Sequence, residues 1–323
     1  MQADGVLLTG FGGPDCPDAV GPFMRNLTGR EPDPAVVERV RARYERIGGC
    51  SPLAATAAEL GRLVEQALGE RGRAVPVSVG MRYWAPTIAE AVEELAGRGC
   101  RCLAHVSLSP LEAGVTHERY REAIEAAVRS HAGLCVCEGP SLSQLEVYPR
   151  LHAEALASVL SELGERRVLV AFTAHSLPVE DGRIDDAYVR GFRSVCDAVA
   201  VAAGMPAGAG LALSGHDAWG RLDCDTPWVA CYQSRGARGS SWLGPDVDDV
   251  IDAARGLGVS GFVVAPVGFA LDHMETLYDV DVEIRSAVES AGLAFARSSV
   301  PNAHPALAEG IADAVARMGC GEG

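Results

Sequence analysis

Metal-binding side chains follow two apolar runs in the C-terminal half of the chain. His175 comes directly after the run VLVAFTA. Five more side chains of this kind follow the run FVVAPVGFA: Asp272, His273, Glu275, Asp279 and Glu283. Such runs predict buried parallel strands, and ligands of open α/β sheets lie beyond the carboxyl ends of these strands. The sequence therefore predicts a divalent-metal site built from an imidazole and several carboxylates.

The acidic residues of this segment have helical spacing. Asp272, Glu275, Asp279 and Glu283 are three, four and four positions apart, so on a helix they share one face. Like charges at this spacing repel by about 0.2–0.5 kcal/mol per pair, which a bound cation would relieve. The residues alone leave two interpretations open, a cation-binding face and a solvated helix face. His175 also has two interpretations, as a metal ligand or as a structural histidine in a turn.

The composition limits the classes of partner. The 323 residues include 28 basic and 43 acidic side chains, giving a net charge of −15, and every basic residue is arginine. Nucleic acid is not expected as a partner, because phosphate contacts need a basic surface. Individual arginines can still bind carboxylates of a small molecule, so Arg30 and Arg43 are either carboxylate ligands or ordinary surface residues.

The chain shows no sign of membrane insertion or export. No run approaches the ~20 apolar residues that a membrane span requires. The N-terminus, MQADGVLLTGFGG, lacks the basic region of a signal peptide and leads directly into an apolar run. We therefore expect a cytoplasmic protein without a membrane span.

Strand-like and helix-like segments alternate along the chain, which predicts an α/β fold with parallel sheets and helices on both faces. The predicted strands are 5–9, 75–80, 102–108, 168–173, 228–233, 261–267 and 293–297. The length suits two domains of about 150 residues each. We place them at 1–142 and 143–303, followed by a C-terminal helix within 304–323. The Gly-rich stretch 204–225 is predicted to be irregular.

Seven stretches taken together resemble the ferrochelatase family. They are LLTGFGGPDCPDAV, RYERIGGCSPL, GMRYWAPTIAEAVEEL, FTAHSLP, CYQSRG…WLGPDVDDVI, PVGFALDHMETLYDVDVE and PNAHP. They span nearly the whole chain in the family's order, and AHSLP and PVGF-x-x-DH-x-E-x-x-x-D are specific to that family. FGGP and VPNAHP look most like members from high-GC Gram-positive bacteria.

The resemblance implies a fold and an activity. The fold would be two Rossmann-like domains of the chelatase type, with a porphyrin cleft between them and the C-terminal helix packed back on the first domain. The activity would be that of a lyase that inserts Fe2+ into a porphyrin during haem biosynthesis. In high-GC Gram-positive bacteria the expected porphyrin is coproporphyrin III.

The resemblance also implies roles for particular residues. His175 is similar to the family's metal-site and proton-accepting histidine, and Glu275 to its partner carboxylate. Asp279 and Glu283 match the family's outer acidic positions. Three further residues match substrate-binding positions: Arg43, Ser51 and Tyr120. These residue types suit the reaction, because a porphyrin must lose two pyrrole protons while the metal loses its water shell.

The chain departs from the family at predicted porphyrin-binding positions. The family's P-H-F-S segment reads Pro-Leu-Glu-Ala here, so Leu111 replaces a histidine and Glu112 places an acid where it would repel a propionate. Tyr83 stands where many bacterial members have histidine. Phe11 stands where many have a tyrosine, and its ring cannot coordinate a metal. These differences leave the identity of the organic substrate open.

Three functions remain possible from the sequence. The first is a ferrochelatase that takes Fe2+ and coproporphyrin III as substrates and works as a monomer. The second is a ferrochelatase-like enzyme that acts on another metal or another organic ligand, and the third is a tetrapyrrole or metal binder without catalysis. No prosthetic group is expected, and no [2Fe–2S] cluster, because Cys320 is the only cysteine near the C-terminus.

Overall fold

The chain divides into two α/β units, each with its own sheet. The computed structural model describes residues 2–179, 185–236 and 241–318. Unit 1 comprises Met1–Val147, Ala270–Met274 and Asn302–Gly323, and unit 2 comprises Tyr148–Phe269 and Glu275–Pro301. The α/β class predicted from the alternation of segments is confirmed.

Unit 1 is built on a parallel sheet. Its strands are β1 (Gly5–Gly10), β2 (Val77–Met81), β3 (Cys102–Ser107) and β4 (Cys135–Glu138). The helices between and beside them are α1 (Val20–Thr28), α2 (Pro34–Glu45), α3 (Leu53–Glu70), α4 (Ile88–Gly97) and α5 (Gly114–Val128). The strand order is β2-β1-β3-β4, with Val6 opposite Val77 and Gly5 opposite Leu103.

Apolar side chains of the strands hold α4 and α5 against this sheet. Leu7 of β1 and Leu103 of β3 lie in one buried cluster with Val92 of α4 and Ile124 of α5. Thr87 caps the start of helix α4. Its hydroxyl accepts from the backbone N–H three residues later, and the carboxylate of that later residue accepts from the Thr87 N–H. This capping box stabilises the helix start because it satisfies donors that have no partner within the helix.

Unit 2 is built on a larger, mixed sheet. Its strands are β5 (Val168–His175), β6 (Pro178–Val179), β7 (Ala209–Leu213), β8 (His216–Arg221), β9 (Trp228–Gln233), β10 (Ser241–Trp242), β11 (Gly261–Ala265) and β12 (Ala294–Arg297). Its helical segments are α6 (Val147–Leu163), α7 (Asp186–Ala202), α8 (Val247–Gly256), a π-helix (Glu275–Ile284) and α9 (Arg285–Ser290). The main sheet has the order β12-β11-β5-β9-β8-β7, parallel from β12 to β9 and antiparallel beyond, while β6 and β10 form a separate antiparallel pair.

The antiparallel edge of the larger sheet corrects one prediction. The stretch 204–225, expected to be irregular, contains the hairpin of β7 and β8. Its turn residues Ser214 and Gly215 both have positive φ, at 50° and 82°. A two-residue turn with this geometry matches the twist of the flanking strands. The Ser-Gly pair directly after the apolar run 211–213 was the available signal.

The C-terminal helix α10 (Pro305–Arg317) lies in unit 1 and packs against α3. Arg71, which follows α3, donates to Asp313 at 2.9 Å and also to Glu309 of α10. The boundary between the units falls after Val147, and Ala270–Met274 lies with unit 1. The domain limits 142/143 and 303/304 stay a prediction. Within the residues that the structure describes, no helix combines the length and apolar character of a membrane span.

His152 on α6 leads to a prediction about acid stability. The residue is 1% exposed, and neither ring nitrogen has a hydrogen-bond partner within the described part of the chain. Burial lowers its pKa to about 3, against about 6.5 in an unfolded chain. The unfolded state therefore binds more protons below about pH 6.5, so acid destabilises the fold, by about 2 kcal/mol between about pH 6.5 and about pH 5.

Replacing His152 with leucine should remove this contribution. Urea denaturation midpoints of the wild type and His152→Leu, compared at several pH values, should diverge in favour of the variant as the pH falls below about 6.5. A difference between the two proteins that stays constant with pH would contradict the prediction.

Candidate functional site

His175 and Glu275 form a hydrogen-bonded pair in unit 2. The imidazole Nδ1 lies 3.0 Å from Glu275 Oε2, and the two side chains are 35% and 30% exposed. His175 is the last residue of β5, and Glu275 is the first residue of the π-helix. Since the Nδ1–H donates to the carboxylate, the lone pair of Nε2 is left to bind a metal or accept a proton.

A glycine contact brings the chain after β11 close to β5. The N–H of Gly268 donates to Thr173 O at 2.9 Å, and a Cβ on Gly268 would lie 2.5 Å from the Cβ of Ala174. No larger residue fits at this distance. The conformation places the connection that leads towards Glu275 beside the strand that carries His175.

The local charges favour the protonated form of His175. Burial lowers the pKa of the imidazole, but the charge and hydrogen bond of Glu275 and the charge of Asp279 outweigh that effect, so the pKa is raised. The Tyr188 hydroxyl donates to the backbone carbonyl of His175 at 2.7 Å and fixes the strand end. The pair is therefore a proton-binding group next to carboxylates that attract cations.

The π-helix separates an acidic side from a buried side. Glu275, Asp279 and Glu283 are partly or fully exposed, while the residue after each of them, Thr276, Val280 and Ile284, is buried. Val280 and Ile284 belong to the apolar cluster of unit 2. Hydrogen bonds from i to i+5 make each turn wider than in an α-helix. The predicted helix is thus present over 275–284, and three of its four predicted carboxylates line one side.

The fourth residue of the predicted acidic face, Asp272, is not on this helix. Its N–H donates to Asn302 Oδ1, and its Oδ2 accepts from Asn302 Nδ2, both at 2.8 Å. The two residues lie in unit 1. The prediction from helical spacing is wrong for Asp272, which its hydrogen bonds with Asn302 hold in the segment before the helix begins.

An acidic cleft adjoins the π-helix within unit 2. Its volume is about 330 Å3, and its lining includes Asp279 and Glu283 of the π-helix together with Asp246, Asp248 and Arg235. Among the residues that the structure describes, no three His, Cys, Asp or Glu side chains converge in a metal-binding arrangement. Of the four predicted metal ligands, the structure brings together His175 and Glu275, with Asp279 and Glu283 further along the same helix.

Two predicted substrate-binding aromatics of unit 1 are neighbours. The rings of Phe11 and Tyr83 lie 4.8 Å apart, and Phe11 is 39% exposed. The guanidinium of Arg82 lies 4.9 Å from the centre of the Tyr83 ring. The pair forms an aromatic surface with an adjacent positive charge, which suits a flat anionic ligand.

Three other predicted substrate-binding residues of unit 1 differ in their exposure to solvent. Ser51 is buried, and a Cβ on Gly13 would lie 2.6 Å from its Cβ, so the glycine allows their close approach. Arg30 and Arg43 are exposed. Their role as carboxylate ligands stays a prediction.

The segment that departs from the family lies mostly inside unit 1. Leu111 is 3% exposed and Tyr120 is 1% exposed, with the Tyr120 hydroxyl 3.1 Å from Ser109 Oγ. Glu112 is exposed. In this structure Leu111 and Tyr120 belong to the core, and only Glu112 presents its side chain to solvent. Their part in substrate binding stays a prediction.

Three polar residues around the His175–Glu275 pair were not identified from the sequence. Tyr188 contacts the His175 backbone, Gln233 donates to Glu275 O at 2.9 Å, and Ser234 donates to Asp279 Oδ2 at 2.5 Å. Within the stretch CYQSRG, Gln233 ends the predicted strand 228–233 and Ser234 follows it directly. That position at a carboxyl edge was a signal for the last two, whereas the helical position of Tyr188 offered none.

Sequence comparisons relate the chain to proteins that act on porphyrins. A family model described as Ferrochelatase matches residues 3–318. The coproporphyrin III ferrochelatase of Mycolicibacterium vanbaalenii is 33% identical over 334 residues, covering 99% of this chain and 91% of that protein. The ferrochelatase of Acidobacterium capsulatum is 31% identical over 324 residues, covering 95% and 92%.

Comparison with solved structures supports the fold. SirB from Bacillus subtilis with Fe3+ has a TM-score of 0.56 at 14% identity, covering 98% of this chain and 95% of that one. CbiX, described as the terminal enzyme for biosynthesis of siroheme in denitrifying bacteria, has a TM-score of 0.52 at 15% identity, covering 98% and 100%. At these identities the likeness extends to the chelatase fold alone.

Proposed function

Because the chain belongs to the ferrochelatase family, we propose that it inserts Fe2+ into coproporphyrin III in haem biosynthesis. The observation that carries the proposal is the His175–Glu275 pair, with Nδ1 and Oε2 3.0 Å apart. The substrate follows from the mycobacterial relatives, which are named for coproporphyrin III. The metal is a substrate of this reaction, and the catalyst needs no redox chemistry.

We assign His175 the role of proton acceptor. The reaction exchanges two pyrrole protons for one divalent metal, so a base must take up protons as the metal–nitrogen bonds form. With Nδ1 directed to Glu275, Nε2 is the nitrogen that accepts a pyrrole proton or binds the incoming metal. Glu275 orients the ring, stabilises the imidazolium that results, and supplies an oxygen ligand.

The carboxylates further along the π-helix are assigned to metal capture. Asp279 and Glu283 line the acidic cleft beside the helix. Carboxylate oxygens bind hydrated divalent cations and can replace their water ligands in steps. A cation held there would also relieve repulsion between the acids. His175, Glu275, Asp279 and Glu283 thus form the proposed metal set.

The porphyrin-binding residues are proposed within unit 1. Phe11 and Tyr83 would pack against the macrocycle, and Arg30, Arg43 and Ser51 would bind propionates. A coproporphyrin has four such carboxylates, and an exposed arginine can bind a carboxylate in a bidentate manner through two hydrogen bonds. Leu111, Glu112 and Tyr120 are proposed to shape the wall of this site, with Glu112 disfavouring a propionate beside it.

The remaining proposals concern the state of the protein. We propose a cytoplasmic monomer that holds neither a prosthetic group nor a [2Fe–2S] cluster. Absorption spectroscopy and iron and sulfide analysis of the purified protein test the cofactor proposal, and analytical ultracentrifugation tests the monomer.

The activity is tested by mixing the purified protein with Fe2+ and coproporphyrin III without oxygen. We expect multiple turnovers, followed as the porphyrin absorption is replaced by that of the iron complex. Protoporphyrin IX, Co2+ and Zn2+ complete the panel. Turnover only with another metal or porphyrin would favour the ferrochelatase-like alternative, and binding of one equivalent without turnover would favour a carrier.

A further inference from the structure

Gln233 joins the strand next to His175 to the start of the π-helix. It is the last residue of β9 and is paired in register with His175 of β5. The side chain is buried, and its Nε2 donates to the backbone oxygen of Glu275 at 2.9 Å. One buried amide therefore connects the strand beside His175 to the helix that carries Glu275.

The next residue, Ser234, contacts the π-helix about one turn after Glu275. Ser234 Oγ donates to Asp279 Oδ2 at 2.5 Å. Consecutive side chains of a strand point to opposite faces, so both can reach one helix only if the backbone leaves the strand geometry. Ser234 does so with a φ of 58°, a left-handed conformation that costs energy for any residue except glycine.

Stability alone does not account for an amide at position 233. Gln233 Oε1 is buried and has no hydrogen-bond partner among the residues that the structure describes. A buried acceptor without a donor destabilises the folded state, and an apolar side chain of similar size would avoid that cost. The strained turn and the unsatisfied acceptor together indicate that these two residues serve the site at some expense of stability.

We propose that Gln233 and Ser234 are positioning residues that hold the π-helix so that Glu275 stays within hydrogen-bonding distance of His175. This inference rests on the proposed function of the pair. Gln233 fixes the main chain of Glu275, and Ser234 fixes the carboxylate of Asp279. Neither side chain needs to contact the porphyrin, because each acts through the residue that it holds.

The decisive variant is Gln233→Met, which keeps the size of the side chain and removes both the donor and the unsatisfied acceptor. Loss of a residue that orients metal ligands typically weakens metal binding about 10–100-fold. We expect Co2+ affinity, measured without porphyrin by titration of its visible absorption, to fall by about tenfold, and the KM for Fe2+ to rise similarly. The KM for coproporphyrin III and the thermal midpoint should change little.

Two further variants separate positioning from folding. Gln233→Asn keeps the amide but is one methylene shorter, so it should also weaken Co2+ binding, and it serves if the methionine variant does not fold. Tyr148→Phe is the matched control in unit 2, since it removes one buried hydroxyl that donates to Val267 O at 2.9 Å. It should bind Co2+ as the wild type does.

The outcomes distinguish this inference from the proposed function. Wild-type Co2+ affinity in both Gln233 variants, or an equal loss in Tyr148→Phe, would overturn the positioning role, as would a wild type that binds no Co2+. If the Gln233 variants alone lose Co2+ affinity, the role is supported even where no porphyrin of the panel is metallated. Absence of metallation with every porphyrin of the panel would reject the proposed function and leave the positioning role intact.

Discussion

Replacing His175 with alanine should lower the rate of metal insertion by about a thousandfold, within the range that a positioned acid–base group contributes. Nε2 of His175 is the atom that we assign to accept pyrrole protons, since Nδ1 is directed to Glu275. Alanine leaves that role to water, which is not held in place. Porphyrin binding should be kept, because the proposed porphyrin contacts lie in other residues.

The measurement is steady-state insertion of Fe2+ into coproporphyrin III, together with fluorescence titration of the porphyrin alone. His131→Ala, which alters a half-buried histidine in the segment after α5, is the control and should retain wild-type turnover. If His175→Ala turned over as fast as the wild type, the assigned base would be wrong. Loss of porphyrin binding in that variant would instead make His175 a binding residue.

Replacing Glu275 with glutamine should lower the insertion rate by about a hundredfold and shift its pH dependence. Glutamine keeps the shape of the side chain but removes the negative charge beside His175. Glu275 is the main group that raises the pKa of His175 against the lowering effect of burial. Without it the pKa falls, so His175 loses its proton at lower pH and the acidic limb of the rate profile moves to lower pH.

This shift is checked by measuring the insertion rate across the pH range for the wild type, Glu275→Gln and Glu93→Gln. Glu93 is an exposed carboxylate of α4, so its replacement controls for the loss of one negative charge. An unchanged acidic limb in Glu275→Gln would show that the carboxylate does not set the protonation of His175. A limb that moves to higher pH would contradict the assigned direction.

The expected effects decrease with distance from the reacting atoms. His175 acts on the proton itself, Glu275 acts on His175 and on the metal, and Gln233 and Ser234 act only by holding the π-helix. We expect the insertion rate to fall about a thousandfold for His175→Ala and about a hundredfold for Glu275→Gln, and metal binding to weaken about tenfold for Gln233→Met. An inverted order would indicate that the π-helix, rather than the imidazole, limits the reaction.

The amino-acid sequence was sufficient where short segments carry the information. Apolar runs predicted the parallel strands that end at His175 and precede Pro266, because side-chain burial in parallel sheets leaves a continuous pattern. The order of the motifs identified the family, which the comparisons confirmed. The Ser-Gly turn in 204–225 carried a local signal too, and the prediction of irregular structure there gave it too little weight.

The sequence could not show how residues far apart in the chain meet. His175 and Glu275 are 100 positions apart, and their contact at 3.0 Å depends on strand order and on the passage of Gly268 beside Ala174. The same holds for Asp272, whose bonds to Asn302 keep it out of the helix. Burial of Leu111 and Tyr120 was equally invisible, because the packing of a whole unit decides which side chains of a segment face inwards.

By itself, then, the sequence determined the α/β class and the family, and through the resemblance it predicted His175 and Glu275 as the base and its carboxylate. Only the tertiary structure decided that the acidic segment is a π-helix starting at Glu275 and that Gln233 and Ser234 hold it. The physical reason is the separation along the chain over which each kind of interaction acts. Periodicity and turn chemistry act between neighbours along the chain, whereas the geometry of the site results from hydrogen bonds and packing between elements that the sheet brings side by side.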